Sequence, residues 1–141
     1  MIDEQLAREN ILDHARYPRN YGELDAPDAK AEGRNPLCGD ELAVDLRIED
    51  GRIRAVRFHG HGCSISKASL SMLSEEIEGR PVDEVASLDR SAVMDLLGIS
   101  LSPIRLKCAL LGLGVVKVAL NRHSGTALPA DWPGTNEITW Q

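Results

Sequence analysis

The sequence predicts an α+β domain in which a small antiparallel sheet of about three strands carries helices on one face. Alternation of apolar residues with polar or small ones from Leu42 to Ile48 has the period of two that is typical of a half-buried strand. Asp50-Gly51 follows, and this dipeptide is a strong signal for a two-residue hairpin turn. Beyond Cys63 and again beyond Ser102, apolar residues recur at helical spacing.

The N-terminal half alternates helix, loop and hairpin. A helix is predicted from Asp3, as N-cap, to Arg16, because the following Tyr17-Pro18 disfavours helical geometry. Residues 24–36 are rich in Asp, Pro, Ala and Gly, and they predict a surface loop with room for one short edge strand. The return strand of the hairpin runs from Ile53 to Phe58, where a slip in the apolar phase indicates a bulge.

The C-terminal half is predicted to be helical. One helix spans Ser66 to Glu78 and ends at Gly79, and two short helices follow over 81–88 and 90–97. The longest helix begins at Ser102-Pro103, with serine as N-cap and proline in the first turn, and runs to about Asn121. Residues 122–141 form an irregular tail with both tryptophans, and 1–141 is predicted to be a single domain.

Composition excludes several classes of function. The 141-residue chain has 16 basic and 22 acidic residues, and its net charge of −6 argues against nucleic acid as a partner. No apolar run reaches the roughly 18–20 residues that span a bilayer, so no membrane association is predicted. The polar N-terminus is not a secretory signal, and the odd number of three cysteines suits no disulfide framework. A cytoplasmic location is therefore predicted.

Four side chains are candidates for a shared site. Cys38 and Asp40 are two residues apart and point to the same side of an extended chain. Cys63 lies where a strand gives way to a helix, and Cys108 lies in the second turn of the longest helix, with Arg105 on the same face. Three thiolates and a carboxylate suit zinc or an iron–sulfur unit. Spacing alone does not separate this site from three unrelated buried cysteines, because there is no C-x-x-C.

The histidines offer a different chemistry. His59 and His61 flank the approach to Cys63, and a cysteine–histidine pair is the nucleophile and base of a thiol hydrolase. Their separation by two residues at a strand end favours a solvated position instead. His14 and His123 are predicted to lie on the surface.

Four motifs resemble the IscU/SufU family of iron–sulfur cluster assembly proteins, which also forms the N-terminal part of NifU. The resemblance extends to about Asn121. The motifs are His14-Ala15-Arg16-Tyr17-Pro18-Arg19-Asn20, Asn35-Pro36-Leu37-Cys38-Gly39-Asp40, Gly60-His61-Gly62-Cys63-Ser64-Ile65-Ser66-Lys67-Ala68-Ser69 and Arg105-Leu106-Lys107-Cys108.

The resemblance implies a SufE/NifU-like fold and a role for each candidate residue. Cys38, Cys63 and Cys108 would be the three thiols of the site and Asp40 its carboxylate, holding zinc as in SufU or a transient [2Fe–2S] cluster as in IscU. Cys108, assisted by Arg105, would accept persulfide sulfur from a cysteine desulfurase. Apo iron–sulfur proteins or later assembly proteins would be the recipients. This would be a sulfur relay rather than conventional enzymatic turnover.

The motifs combine features of both branches. The segments around Cys63 and Cys108 resemble SufU, and Lys107 stands where an IscU typically has histidine. The stretch from Cys63 to Cys108 is too short for the insertion that is usual in SufU. Scaffold and sulfur acceptor therefore both stand as hypotheses, and the alternative is a zinc-binding structural module without sulfur transfer.

Overall fold

The structure, a computed structural model, describes residues 3–36, 38–125 and 139–140. The predicted α+β fold is confirmed: an antiparallel sheet of order β3-β2-β1-β4 carries helices on one face. The strands are β1 (Ala29–Asn35), β2 (Asp40–Glu49), β3 (Arg52–His61) and the two-residue β4 (Thr139–Trp140). The helices are α1 (Glu4–Arg16), α2 (Ser64–Ile77), α3 (Val82–Ala86), α4 (Arg90–Leu97) and α5 (Pro103–Ser124).

The β2–β3 hairpin has the geometry that its sequence predicts. Asp50 and Gly51 both have positive φ, 53° and 71°, which is the type I′ arrangement that matches the twist of the strands. Arg47 pairs with Ala55 and Ile48 pairs with Ile53, so Arg54 is an extra residue on β3. This bulge explains the slip in the apolar phase, and both predictions are confirmed.

β1 corrects the prediction of a loop with a short edge strand. It is a seven-residue strand that lies between β2 and β4, and its residues alternate between buried and exposed from Ala29 to Asn35. Small residues such as Ala31 and Gly33 have weak strand propensity, which is why the sequence indicated a loop. Their small size lets α5 pack closely on this face of the strand, so tertiary packing decides the conformation.

α5 is the central helix of the core. It packs on β1, β2 and α2, and its residues from Cys108 to Leu120 are buried on all sides. Gly112 lies so close to α2 that a Cβ there would be 3.0 Å from the Cβ of Leu70. α5 begins as predicted, with Ser102 Oγ accepting the Arg105 N–H at 3.4 Å, and it extends past Asn121 to Ser124.

The other helices occur where they were predicted. α2 begins at Ser64, two residues before the predicted start, and Cys63 is its N-cap residue. Within the described residues, no helix combines the length and apolarity needed to cross a membrane. The predicted tail, 122–141, falls mostly outside the described residues; the part that is described consists of the end of α5, Gly125 and β4.

Residues 14–20, at the end of α1 and just after it, make polar contacts with α2. The prediction that His14 lies on the surface is therefore wrong. His14 is 6% exposed, and its Nδ1 lies 2.7 Å from Ser71 Oγ. The same hydroxyl accepts the backbone N–H of Arg19 at 2.8 Å, and Asn20 Nδ2 donates to Ser74 Oγ at 3.0 Å. Polar contacts with α2 therefore bury a histidine that the sequence alone placed at a helix end.

This burial makes stability depend on pH. Burial lowers the pKa of His14 below its ordinary 6.5, and the Arg19 charge lowers it further. The unfolded chain therefore binds a proton that the folded chain lacks, and we expect the free energy of unfolding to fall as pH drops below 6.5. The slope from one proton is at most about 1.4 kcal/mol per pH unit.

Urea unfolding between about pH 5 and 8 measures this dependence. We expect His14→Gln to have a shallower slope than wild type. Equal slopes for wild type and His14→Gln would contradict the prediction.

Candidate functional site

The candidate residues lie at one end of the sheet, and they come from four segments of the chain. Cys38 lies in the turn between β1 and β2, where the N–H groups of Cys38 and Gly39 both donate to the Asn35 carbonyl, at 3.2 and 2.9 Å. Gly39 has φ of 72°, which a residue with a side chain rarely adopts. Asp40 opens β2, Cys63 immediately precedes α2, and Cys108 lies in the second turn of α5.

Three of the four predicted side chains converge closely. The ligand atoms of Cys38, Asp40 and Cys108 all lie within 4.8 Å of one another, which is close enough for a common metal ion. The Sγ atoms of Cys38 and Cys108 are 2.9 Å apart, and both are free thiols. Residues far apart in sequence are thus brought together at one point by the fold.

Cys63 borders this cluster and is tied to it through its backbone. Its N–H donates to Asp40 Oδ1 at 2.9 Å, and its half-buried Sγ lies 3.7 Å from Ser66 Oγ. The Cys63 thiol is also near enough to contribute to the raised pKa of Cys108. As the N-cap residue of α2, it lies in the favourable field of the helix dipole for an anion.

Asp40 carries an unusual buried oxygen. Its side chain is 1% exposed, and while Oδ1 is hydrogen-bonded to Cys63, Oδ2 has no hydrogen-bond partner among the described residues. A buried carboxylate oxygen without a partner is energetically costly. A cation bound among Asp40 and the thiols would satisfy this oxygen.

Without a metal, the thiolate form of Cys108 is disfavoured relative to the neutral thiol. Burial is the main cause that raises the pKa of Cys108, followed by its contact with Cys38 and the negative charges of Cys63 and Asp40. Several acidic groups crowded into a buried space cannot all ionise unless positive charge enters. Together with the Asp40 oxygen that lacks a partner among the described residues, this makes the converging set of two sulfurs and one carboxylate, Cys38, Cys108 and Asp40, fit zinc or iron.

Two glycines give the site its space. A Cβ on Gly62 would lie 2.4 Å from Ser66 Oγ and 2.8 Å from Asp40 Oδ1, both shorter than any normal contact. A Cβ on Gly60 would lie 2.1 Å from the Glu41 carbonyl, and Gly60 has φ of +123°. Glycine is therefore required at both positions for the end of β3 to lie against β2 and Asp40.

Arg105 and the histidines lie at the periphery. Arg105 is exposed in the first turn of α5, and its guanidinium makes no hydrogen bond or ion pair within the described part of the chain. His61 Nε2 lies 2.9 Å from Glu41 Oε2, and His59 Nε2 lies 3.3 Å from Glu23 Oε1. Among the described residues neither histidine is hydrogen-bonded to Cys63, so the arrangement does not support a thiol hydrolase.

Asn35 is a site residue to which the sequence reasoning gave no role. It is fully buried at the end of β1, and its Nδ2 lies 3.9 Å from Cys108 Sγ. A signal for it was present: Asn35 has the same parity along the strand as the buried Ala31 and Gly33, so its side chain belongs on the inner face.

The fold and this cluster define a class of small α+β protein whose site is lined by thiols and one buried carboxylate. Residues 6–128 match the family described as the NifU-like N terminal domain. The chain belongs to this family, and the resemblance to IscU/SufU proteins that its motifs indicated is confirmed.

Two relatives represent two activities within the family. The chain is 34% identical over 140 residues to the iron-sulfur cluster assembly scaffold protein IscU of Thermotoga maritima, covering 88% of this chain and 99% of that protein. It is 29% identical over 139 residues to the zinc-dependent sulfurtransferase SufU of Bacillus subtilis, covering 86% and 94%.

Solved structures agree on the fold. A protein of Fervidobacterium islandicum, proposed to be the iron–sulfur cluster assembly scaffold of the SUF system, superposes with a TM-score of 0.70 at 27% identity, covering 79% of this chain and 94% of that one. A NifU-like N-terminal region from Brucella abortus superposes with a TM-score of 0.69, covering 84% and 94%, and at 23% identity it supports the fold alone.

Proposed function

We propose that this protein takes part in iron–sulfur cluster assembly, as a cluster scaffold, as an acceptor of persulfide sulfur, or as both. The observation that carries the proposal is the buried Asp40 carboxylate beside converging thiols, with one oxygen that lacks a partner among the described residues. Membership of a family whose named relatives include a cluster scaffold and a zinc-dependent sulfurtransferase supports it.

The proposed ligands are Cys38, Asp40, Cys63 and Cys108. They would hold a resident zinc ion, or a transient [2Fe–2S] cluster as cargo. When bound, the metal would supply positive charge that keeps buried thiols deprotonated. Asp40 offers the Oδ2 atom that has no hydrogen-bond partner in the described part of the chain, and Cys63, which is half-buried, leaves one side of the site open to solvent.

Cys108 is the proposed acceptor of sulfur from a cysteine desulfurase. Its thiolate attacks the terminal sulfur of the donor persulfide; a sulfur–sulfur bond forms on Cys108, the donor's sulfur–sulfur bond breaks, and the donor cysteine leaves as a thiolate. Arg105, exposed one turn earlier on α5, would stabilise the negative charge of the incoming persulfide. Because Cys108 is fully buried, we propose that docking of the desulfurase exposes its sulfur.

The proposed partners are therefore the desulfurase and the apo iron–sulfur proteins or assembly proteins that receive the product. The net charge of −6 does not favour a nucleic acid. We also propose a cytoplasmic location, because the site needs reduced thiols and the cytoplasm keeps thiols reduced.

Metal analysis beside a sulfur-transfer assay tests the function. We expect freshly purified protein to contain metal at the site, and anaerobic addition of iron and sulfide to give a visible chromophore if the protein is a scaffold. Stoichiometric zinc that iron cannot displace would contradict the scaffold role.

The sulfur-transfer assay separates sulfur relay from a structural zinc module. Incubation with a cysteine desulfurase and cysteine labelled at sulfur is expected to leave label on the chain, removable by a thiol reductant. Zinc binding without any label would favour the structural module and contradict sulfur acceptance.

A further inference from the structure

Asn35 contacts both residues of the close thiol pair, Cys38 through its backbone and Cys108 through its side chain. Its backbone carbonyl accepts the N–H groups of Cys38 and Gly39 and so shapes the turn that carries Cys38. Its side-chain amide Nδ2 lies 3.9 Å from Cys108 Sγ, within the longer range expected for a hydrogen bond to sulfur. Asn35 is 0% exposed, so this amide contacts the sulfur from inside the protein.

The chemistry of the amide suits this place. A side-chain amide carries two N–H donors, and a donor directed at a thiolate stabilises its negative charge. Groups that contact a metal ligand without binding the metal fix the ligand's orientation and tune its electron donation.

We propose that Asn35 is a positioning residue that orients the Cys108 sulfur and donates a hydrogen bond to it. This inference rests on the proposed function, in which Cys108 binds metal and accepts sulfur. The variants tested below keep the backbone carbonyl that holds the Cys38 turn, so they change only the side-chain amide.

Zinc affinity is the first measurement, by competition with a chromophoric chelator. Asn35→Leu has nearly the same shape without the donor, and we expect it to lower the affinity by about tenfold or more. Ser69→Ala is the matched control: it removes a hydroxyl that is 1% exposed and donates to the carbonyl of Ala109, next to Cys108, at 2.6 Å. Unchanged affinity in Asn35→Leu, or an equal loss in Ser69→Ala, would overturn the proposal.

Spectroscopy of the Co²⁺-substituted protein distinguishes donation from packing. Loss of a hydrogen bond to a metal-bound thiolate makes the sulfur a better electron donor, so Asn35→Leu is expected to shift the sulfur-to-cobalt charge-transfer band to lower energy. Asn35→Gln retains the amide, so we expect its charge-transfer band and its zinc affinity to lie between those of Asn35→Leu and those of wild type. Identical spectra for Leu and Gln variants would refute donation. If Asn35→Leu does not fold, Asn35→Ala carries the same prediction.

The cobalt spectra also separate this inference from the proposed function. If the wild type accepts no sulfur, the proposed sulfur relay fails, and the band positions of Asn35→Leu and Asn35→Gln still decide the role of Asn35. An unchanged band in Asn35→Leu would overturn the inference.

Discussion

Cys108→Ser is expected to abolish the acceptance of labelled sulfur from a cysteine desulfurase, reducing it to background. A serine hydroxyl is almost wholly protonated near neutral pH and cannot form the sulfur–sulfur bond that the transfer requires. Because serine is close in size to cysteine, we expect the fold to persist, which thermal unfolding checks. Mapping of the label by mass spectrometry measures the result.

Cys63→Ser provides the comparison for this experiment. It removes the half-buried thiol that borders the cluster while leaving Cys108 in place. We expect it to lower metal content but still to carry label on Cys108. Label in Cys108→Ser equal to that of wild type would show that the relay role belongs to another cysteine.

Local patterns predicted much of the fold because their causes are local. The Asp50-Gly51 turn requires two positive φ angles that these residues adopt readily, and the bulge at Arg54 follows from apolar phase alone. Ser102 and Pro103 mark the start of α5 by chemistry contained in the first turn. In each case neighbouring residues determine the outcome.

The errors arose where distant packing overrides local preference. β1 is a strand because its small residues lie under α5, and His14 is buried because Ser71 on α2 provides it with a polar contact. Neither partner is near in sequence, so composition indicated a loop for one and a surface position for the other. Pattern alone cannot supply such long-range contacts.

The candidate site shows the same division. Spacing predicted that Cys38 and Asp40 point to the same side of an extended chain, but Cys38 lies in a turn in which Gly39 has φ of 72°, so the turn brings the two side chains together. The approach of Cys108 required three-dimensional structure or a family resemblance. Nothing in the sequence indicated the hydrogen bond from the Cys63 N–H to Asp40, or that a side chain at residue 62 would clash with Asp40 and Ser66. These contacts depend on how the end of β3 lies against β2.

Gly62→Ala is expected to lower zinc affinity by about tenfold or more, the range seen when support of metal ligands is lost. The added Cβ would lie 2.8 Å from Asp40 Oδ1 and 2.4 Å from Ser66 Oγ. Both side chains are essentially buried, with Asp40 1% and Ser66 0% exposed, so neither can turn out to solvent. We therefore expect the Asp40 carboxylate to move away from the added methyl group and to lose its hydrogen bond from the Cys63 N–H.

Gly79→Ala is the matched control for this variant. Gly79 has φ of +88° and open space around it, so alanine there costs about 1–2 kcal/mol of backbone strain without touching the site. We expect Gly79→Ala to lower the free energy of unfolding and to keep wild-type zinc affinity. Chelator competition and urea unfolding on both variants measure the two effects. Wild-type affinity in Gly62→Ala would mean that the carboxylate position seen here is not needed to bind metal.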